Sequence, residues 1–301
     1  MHLDYKVGSM DSTIRSDVFM HTGQNVLSSV QISGGDALRT HYRIVLENQR
    51  EYIYKTVNVT NNVLVYTQLV DLRIKGFQHI DYMWQDNANT YVILAQWNEG
   101  KCICDYQGMY KDEMIVRSAR LLKKIHIDYQ TTDKVFFSKE TAIHFIQDNR
   151  QYFPNGSYEI LAEYILENLK YINGRAKTVV HGDMHWGNIL ICNDEVVFID
   201  LDDICYGDCY MDLVYAANLI NNADDYHSYY VFLNTYFDYD IPIEFWKIVN
   251  IYSICKAINI MRCEERYTPQ HSHQLVLDGF LKQHMTMQSD IPAWFEIEEK
   301  R

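Results

Sequence analysis

The chain has 301 residues, 48% of them apolar and 22% charged, which is the composition of a globular protein and excludes a wholly disordered or collagen-like chain. No apolar run approaches the ~18–20 residues of a membrane span, and the N-terminus has no apolar signal core, so neither a membrane anchor nor export is predicted. The formal net charge is −13: residues 1–180 hold 20 acidic and 20 basic side chains, and residues 181–301 hold 20 acidic and 7 basic. Such a half repels nucleic acid, whose binding depends on Lys and Arg neutralising phosphate, and favours a cationic ligand or bound metal ions. A solvated acidic helical surface accounts for the same charge. The seven cysteines are an odd number without paired spacing and read as reduced thiols of a cytoplasmic protein; Cys102 and Cys104 read as packing residues.

In chain order, residues 26–33, 41–46 and 51–57 are short runs rich in β-branched and aromatic residues and predict strands, with turns at Gly34-Gly35-Asp36 and Glu47-Asn48-Gln49-Arg50. Residues 61–75 have near-helical apolar spacing and stop at Gly76; residues 77–97 predict further strands, ending in Tyr91-Val92-Ile93-Leu94-Ala95. From residue 109 the period changes. Residues 111–127 and 158–172 predict amphipathic helices, 178–180 and 189–192 short strands, and 195–200 a strand after an Asn193-Asp194 turn. Residues 210–290 are mostly helical by pattern. No repeat and no flexible linker is visible.

The stretch 179–213 carries the chemistry: VVHGDMHWGNILICNDEVVFIDLDDICYGDCYMDL. Polar residues are set at the ends of apolar runs, where a rigid frame places them. Phosphoryl transfer needs a carboxylate for the acceptor hydroxyl, hard oxygen ligands for Mg²⁺ and a lysine for the phosphates. His181, Asp183 and Asn188 keep the H-x-D-x-x-x-x-N spacing of kinase catalytic loops, and Asp200 ends the next strand. His181 and His185 with Asp183 are not read as a zinc site, which needs three or four ligands that converge in a dedicated geometry.

These residues resemble the aminoglycoside phosphotransferase and choline kinase-like family of small-molecule kinases. His181-Gly182-Asp183 through Asn188 matches its H-G-D-x-x-x-x-N, Asp200-Leu201-Asp202 its D-x-D, and Gly207-Asp208 with Asp212-Leu213 its G-D-x-x-x-D-L. The resemblance implies an α+β, two-lobed, protein-kinase-like fold, with a β-rich nucleotide-binding lobe at 1–97 and a mainly helical lobe at 98–301. It implies Asp183 as catalytic base, Asn188 and Asp200 as Mg²⁺ ligands, and Lys55 as the phosphate-pairing lysine. It also implies Ser33, Gly34 and Gly35 over the phosphates, Ala95, Gln96 and Trp97 as the hinge that meets adenine, and Asp212 and the helix end at His126 as structural supports.

The sequence departs from the wider kinase pattern in three places. Only Gly34-Gly35 remain of a glycine-rich loop; no Glu occurs in 58–76 to pair with Lys55, so Gln68 or Asp71 stands in or the pair is missing, with Gln68 the better placed relative to Gly76; and Leu201-Asp202 replaces Phe-Gly after Asp200. The implied reaction moves the γ-phosphoryl of ATP, or of GTP, to a hydroxyl of a small molecule, which the acidic second half suggests is amine-bearing. The same fold also suits a Ser/Thr protein kinase or a non-catalytic nucleotide-binding module.

Overall fold

The computed structural model describes residues 4–6, 10–33, 41–58, 67–68, 70–87, 90–152, 158–218, 225–267 and 289–300. They form two compact units: Met1–Gln107 with Trp186–Cys205, and Gly108–His185 with Tyr206–Arg301. The boundary thus lies ten residues beyond the expected 97/98 division, and 186–205 joins the first unit. The cause is a small sheet. β7 (Lys101–Cys102) pairs with β9 (Ile189–Cys192), which pairs with β10 (Glu195–Phe198). A Cβ at Gly100 would lie 2.7 Å from the Ile191 carbonyl oxygen, so glycine is what lets the chain close on β9 here.

The first unit is built on a six-stranded antiparallel sheet. Its strands are β1 (Asp4–Lys6), β2 (Val26–Ser33), β3 (His41–Leu46), β4 (Glu51–Asn58), β5 (Ile80–Asn87) and β6 (Thr90–Gln96), in the order β1-β2-β3-β4-β6-β5. Alternation puts Tyr42, Ile44, Leu46, Tyr52, Tyr54, Val92 and Leu94 on one face, where they form a core with Val18 and Trp84. Val18 lies on α1 (Ser12–Thr22), a helix that the sequence pattern did not predict. Val18 is its one buried residue, so no apolar stripe marks it. Its ends are nonetheless well made: Asp11 accepts from the Thr13 N–H, and Gly23 closes the helix in the left-handed region. Trp84 Nε1 donates to Asp17 Oδ2 at 2.8 Å and ties α1 to the sheet.

Lys55 follows Tyr54 and therefore points to the opposite face. Two hydrogen bonds fix what it meets there. The Phe198 N–H donates to Gly76 O at 2.7 Å, and the Gln78 N–H donates to Phe198 O at 2.8 Å, so the end of β10 is fastened to the segment just before β5. Asn193 (φ 49°) and Asp194 (φ 63°) both take positive φ, as a tight two-residue hairpin between β9 and β10 requires.

Cys102 and Cys104 form a disulfide, which corrects the expectation of reduced packing thiols. β7 ends at Cys102 and turns at once into the 3-10 helix Ile103–Asp105. This shortens the Cα–Cα distance to 5.2 Å, within disulfide range. Cys192, Cys209 and Cys255 are in no disulfide.

The second unit is mainly helical: α2 (Gly108–Asp128), α3 (Lys139–Asp148), α4 (Tyr158–Ile172), α5 (Val214–Asn218), α6 (Tyr226–Tyr236), α7 (Ile243–Tyr267) and α8 (Ala293–Glu298). α2 buries Met114, Ile115, Ala119, Leu122 and Ile125, the stripe read from sequence. A two-stranded sheet of β8 (Thr178–Val180) and β11 (Cys205–Gly207) precedes the loop that begins at His181. Among the described residues no helix is long and apolar enough to cross a membrane.

Candidate active site

In the first unit Lys55 is buried, with 6% of its surface exposed, and its Nζ lies 2.5 Å from both Asp200 Oδ1 and Asp202 Oδ1. Burial works against this charge, but Asp202 and Asp200 outweigh it and hold the Lys55 pKa above the ordinary lysine value. Two residues 145 apart in the chain are thus in direct contact, because β10 ends beside the main sheet. Asp200 is left-handed (φ 65°), a conformation that Asp tolerates better than most residues, and opens the 3-10 helix Leu201–Asp203. Asn188 is buried at the end of the 3-10 helix Trp186–Asn188, and its carbonyl accepts from the Ile199 N–H at 3.0 Å, next to Asp200.

Other expectations for this unit fare differently. Gln68 is exposed and does not reach Lys55; Asp200 and Asp202 supply the counter-charge instead of any residue of the 61–75 segment. Ser33 ends β2, while Gly34 and Gly35 lie outside the described residues. At the expected hinge three backbone groups have partners within the unit. The Gln96 N–H donates to His79 O at 2.7 Å, Gln96 O accepts from Gln78 Nε2 at 2.9 Å, and the Trp97 N–H donates to Glu51 O at 2.9 Å. These three backbone groups are used within the sheet, and the Ala95 side chain is buried. Two side-chain atoms at the same place are buried and have no partner among the described residues: Trp97 Nε1, a donor, and Asn98 Oδ1, an acceptor. The Trp97 ring is covered by the Arg43 guanidinium at 4.4 Å, and Arg43 Nε is held by Glu51 at 2.8 Å.

In the second unit the His181-Gly182-Asp183 loop is fixed from below by Asp212. Its carboxylate is fully buried and accepts the backbone N–H of His181 at 2.8 Å and of Gly182 at 2.8 Å. His126 Nε2 lies 3.1 Å from the same carboxylate, and His126 Nδ1 lies 2.7 Å from Tyr236 OH. Burial pushes the Asp212 carboxyl up, but His126 and the His181 N–H outweigh it and hold it below the usual range.

Asp183 is half-buried. Its Oδ1 accepts from Lys256 Nζ at 2.8 Å and from Tyr215 OH at 2.9 Å, and His185 Nε2 lies 3.7 Å from Oδ2. Burial raises its pKa, but Lys256 overrides this and the net shift is downward. Sequence reading missed Lys256 and Tyr215. The available signal was a lone charge inside the apolar run of α7, where Ile251, Tyr252, Ile254, Ala257 and Ile258 are buried. Part of the acidic excess is neutralised within the unit: Asp208 by Arg175, Asp225 by Lys111, Asp238 by Lys123 and Asp290 by Lys247.

Among the described residues no group of three His, Cys, Asp or Glu gathers as a metal cage. The Asp200, Asp202 and Asn188 set is nevertheless composed of hard oxygen donors, the type that suits Mg²⁺ shared with phosphate.

Comparison with known proteins adds a family-model match over part of the chain and a set of similar folds. Residues 112–244 match the model of the phosphotransferase enzyme family, APH. No curated protein matches. Among solved structures, spectinomycin phosphotransferase APH(9)-Ia in complex with ADP and spectinomycin is similar, with a TM-score of 0.62, 15% identity, and coverage of 96% of this chain and 97% of that one. The gentamicin complex of APH(2")-IIa gives a TM-score of 0.65 at 14% identity, over 93% and 99% of the two chains. Choline kinase LicA from Streptococcus pneumoniae gives 0.63 at 16% identity, over 90% and 98%. Residues 112–244 thus carry the phosphotransferase-family match, and the chain has the kinase-like α+β fold of aminoglycoside phosphotransferases and a choline kinase, the small-molecule kinase group that its motifs resemble.

Proposed function

We propose that the protein is an ATP-dependent kinase that transfers the γ-phosphoryl group to a hydroxyl of a small molecule. The observation that carries this reading is the convergence of a buried Lys55 and an exposed Asp200, far apart in sequence, in one ion pair. Lys55 would hold the phosphate end of the nucleotide, and Asn188 and Asp200, with Asp202 beside them, would hold Mg²⁺. When bound, the ion supplies neutralisation of phosphate charge. Trp97 Nε1 and Asn98 Oδ1, an orphaned donor and acceptor, suit the acceptor and donor that adenine offers at N7 and N6. Trp97 bonds to Glu51, four residues along β4 from Lys55, which is about 13 Å of strand; a nucleotide laid along that strand spans base to phosphates. GTP presents two acceptors on the same edge and is the poorer fit.

Asp183 would accept the proton of the attacking hydroxyl. Covalent continuity supports its assignment to the same reaction, since only four residues separate it from Asn188. The preferred acceptor is amine-bearing, on the −13 charge of residues 181–301, although Lys256 already fills the place beside Asp183. Spectinomycin, gentamicin and choline, named with the similar proteins, are the acceptor types to try first. Nucleic acid is not an expected partner, and the cytoplasm, where ATP is supplied, is the expected location.

The test is an ATP-consumption screen over aminoglycosides, choline, other amino-alcohols, neutral sugars and hydroxy acids, with a peptide pool as the protein-kinase arm. Turnover with an amine-bearing small hydroxyl compound is expected. Turnover confined to peptides rejects the acceptor class, and best turnover with a neutral or anionic compound rejects the amine preference.

A further inference from the structure

Asp183 stands in a setting that works against a general base. It is half-buried, and burial drives a carboxylate toward its protonated form, in which it can no longer accept a proton. Among the described residues Lys256, Tyr215 and His185 face it. Lys256 arrives from α7, 73 residues later, and places Nζ 2.8 Å from Oδ1 and 3.5 Å from Gly182 O. Tyr215 arrives from α5 and donates to the same Oδ1 at 2.9 Å. His185 lies on the loop itself, 3.7 Å from Oδ2. Lys256 also stands 5.4 Å from the Tyr215 ring, so the ammonium, the phenol and the carboxylate form one packed cluster.

From this geometry we infer that Lys256 is a positioning residue for Asp183: its ammonium fixes the rotamer of the carboxylate through Oδ1 and keeps it ionised. The inference rests on the reading of Asp183 as the base of the proposed reaction. A side chain 24% exposed, on a helix whose neighbouring residues are apolar, can be held charged there because it has this partner. Tyr215 adds a neutral hydrogen bond to the same oxygen, which orients it without changing the charge. A lysine that only tied α7 to the loop would stabilise the fold but leave the proton chemistry alone. A lysine acting through Asp183 sets the pH at which the base is available.

The experiment compares wild type, Lys256→Met, Lys256→Arg, Asp183→Asn and the Asp183→Asn/Lys256→Met double variant. Thermal midpoints establish that each is folded. Turnover of ATP is followed from pH 2.5 to 9 with the acceptor found by the screen, or with water as acceptor, and the Asp183 carboxyl is titrated by ¹³C NMR over the same range in wild type and in Lys256→Met. An opposite charge at this distance lowers a carboxyl pKa by about 1–3 units, so removing it raises the pKa. The acid limb of the Lys256→Met profile should therefore move to higher pH by about that amount. Its kcat should fall at least tenfold, while the KM for ATP stays within about threefold. Lys256→Arg should restore the limb, and adding Lys256→Met to Asp183→Asn should cost little more than Asp183→Asn alone.

A Lys256→Met enzyme with the wild-type acid limb and kcat overturns the inference, as does an unshifted Asp183 titration. If wild type turns over nothing, the kinase reading fails, and the NMR titration still decides whether Lys256 controls the charge of Asp183. Should Lys256→Met not fold, Lys256→Gln is carried through the same comparison.

Discussion

Asp183→Asn is expected to reduce phosphoryl transfer about 10²–10⁴-fold, the usual contribution of a positioned acid or base, with ATP affinity within about threefold of wild type. The amide has the same shape and can still accept from Lys256 or Tyr215 through its oxygen, so the loop should keep its form. It cannot take the proton of an attacking hydroxyl. It also leaves the Lys256 ammonium without its carboxylate, which removes the charge balance of the cluster. Lys55, Asp200 and Asn188 lie in the other unit and are untouched, so nucleotide binding separates from turnover. Steady-state kcat beside calorimetric ATP affinity measures both. A variant with wild-type kcat would remove Asp183 from the chemistry.

The largest effect on stability is expected at Asp212. Asp212→Ala takes one buried carboxylate away from two backbone N–H groups and the His126 imidazole, leaving all three without that acceptor. Leaving buried hydrogen-bond donors without their acceptor costs about 1–3 kcal/mol each. The His181–Asp183 loop loses its anchor at the same time, so activity falls with stability. The pH dependence has a definite sign. Asp212 has a folded pKa below its unfolded value of about 3.9, so its stabilisation is present above pH ~4 and is lost as pH falls through the folded pKa. Urea unfolding between pH 2 and 7 should show wild type losing this part on the acid side, with the variant flatter there. A loss under about 1 kcal/mol at pH 7 would mean that the loop is held by something else.

Much of the framework was legible because the relevant periods are short. The limits of β2, β3, β8 and β9 coincide with the apolar runs at 26–33, 41–46, 178–180 and 189–192, and helix 158–172 with its apolar stripe. The Asn193-Asp194 turn announces its positive-φ pair by composition. The spacing from His181 to Asp200 was legible as a family resemblance, and the roles it implies are part of the proposal. What was not legible depends on tertiary placement. α1 shows one buried side chain, and β7 is two residues long, too short for any period, yet it draws 186–205 into the first unit. The counter-ion of Lys55 is absent from the segment where spacing places it, because Asp200 and Asp202 reach the lysine from the end of β10. Lys256 is one charge in a helix whose burial only the fold reveals. At the hinge, the strand pairing that uses up the Gln96 and Trp97 amides depends on register, and register is not written in Ala95-Gln96-Trp97.

The central claim is that Lys55, Asn188 and Asp200 make one metal-dependent nucleotide site. Calorimetric titration of ATP, with and without Mg²⁺, into wild type and Asp200→Ala tests it directly. Wild type should bind ATP at least tenfold more tightly with Mg²⁺ than without, and Asp200→Ala should lose most of that difference while binding metal-free ATP at least as well, because Lys55 is then released toward the phosphates. Equal ATP affinity with and without Mg²⁺ in wild type, or a full Mg²⁺ effect in Asp200→Ala, would contradict the assignment.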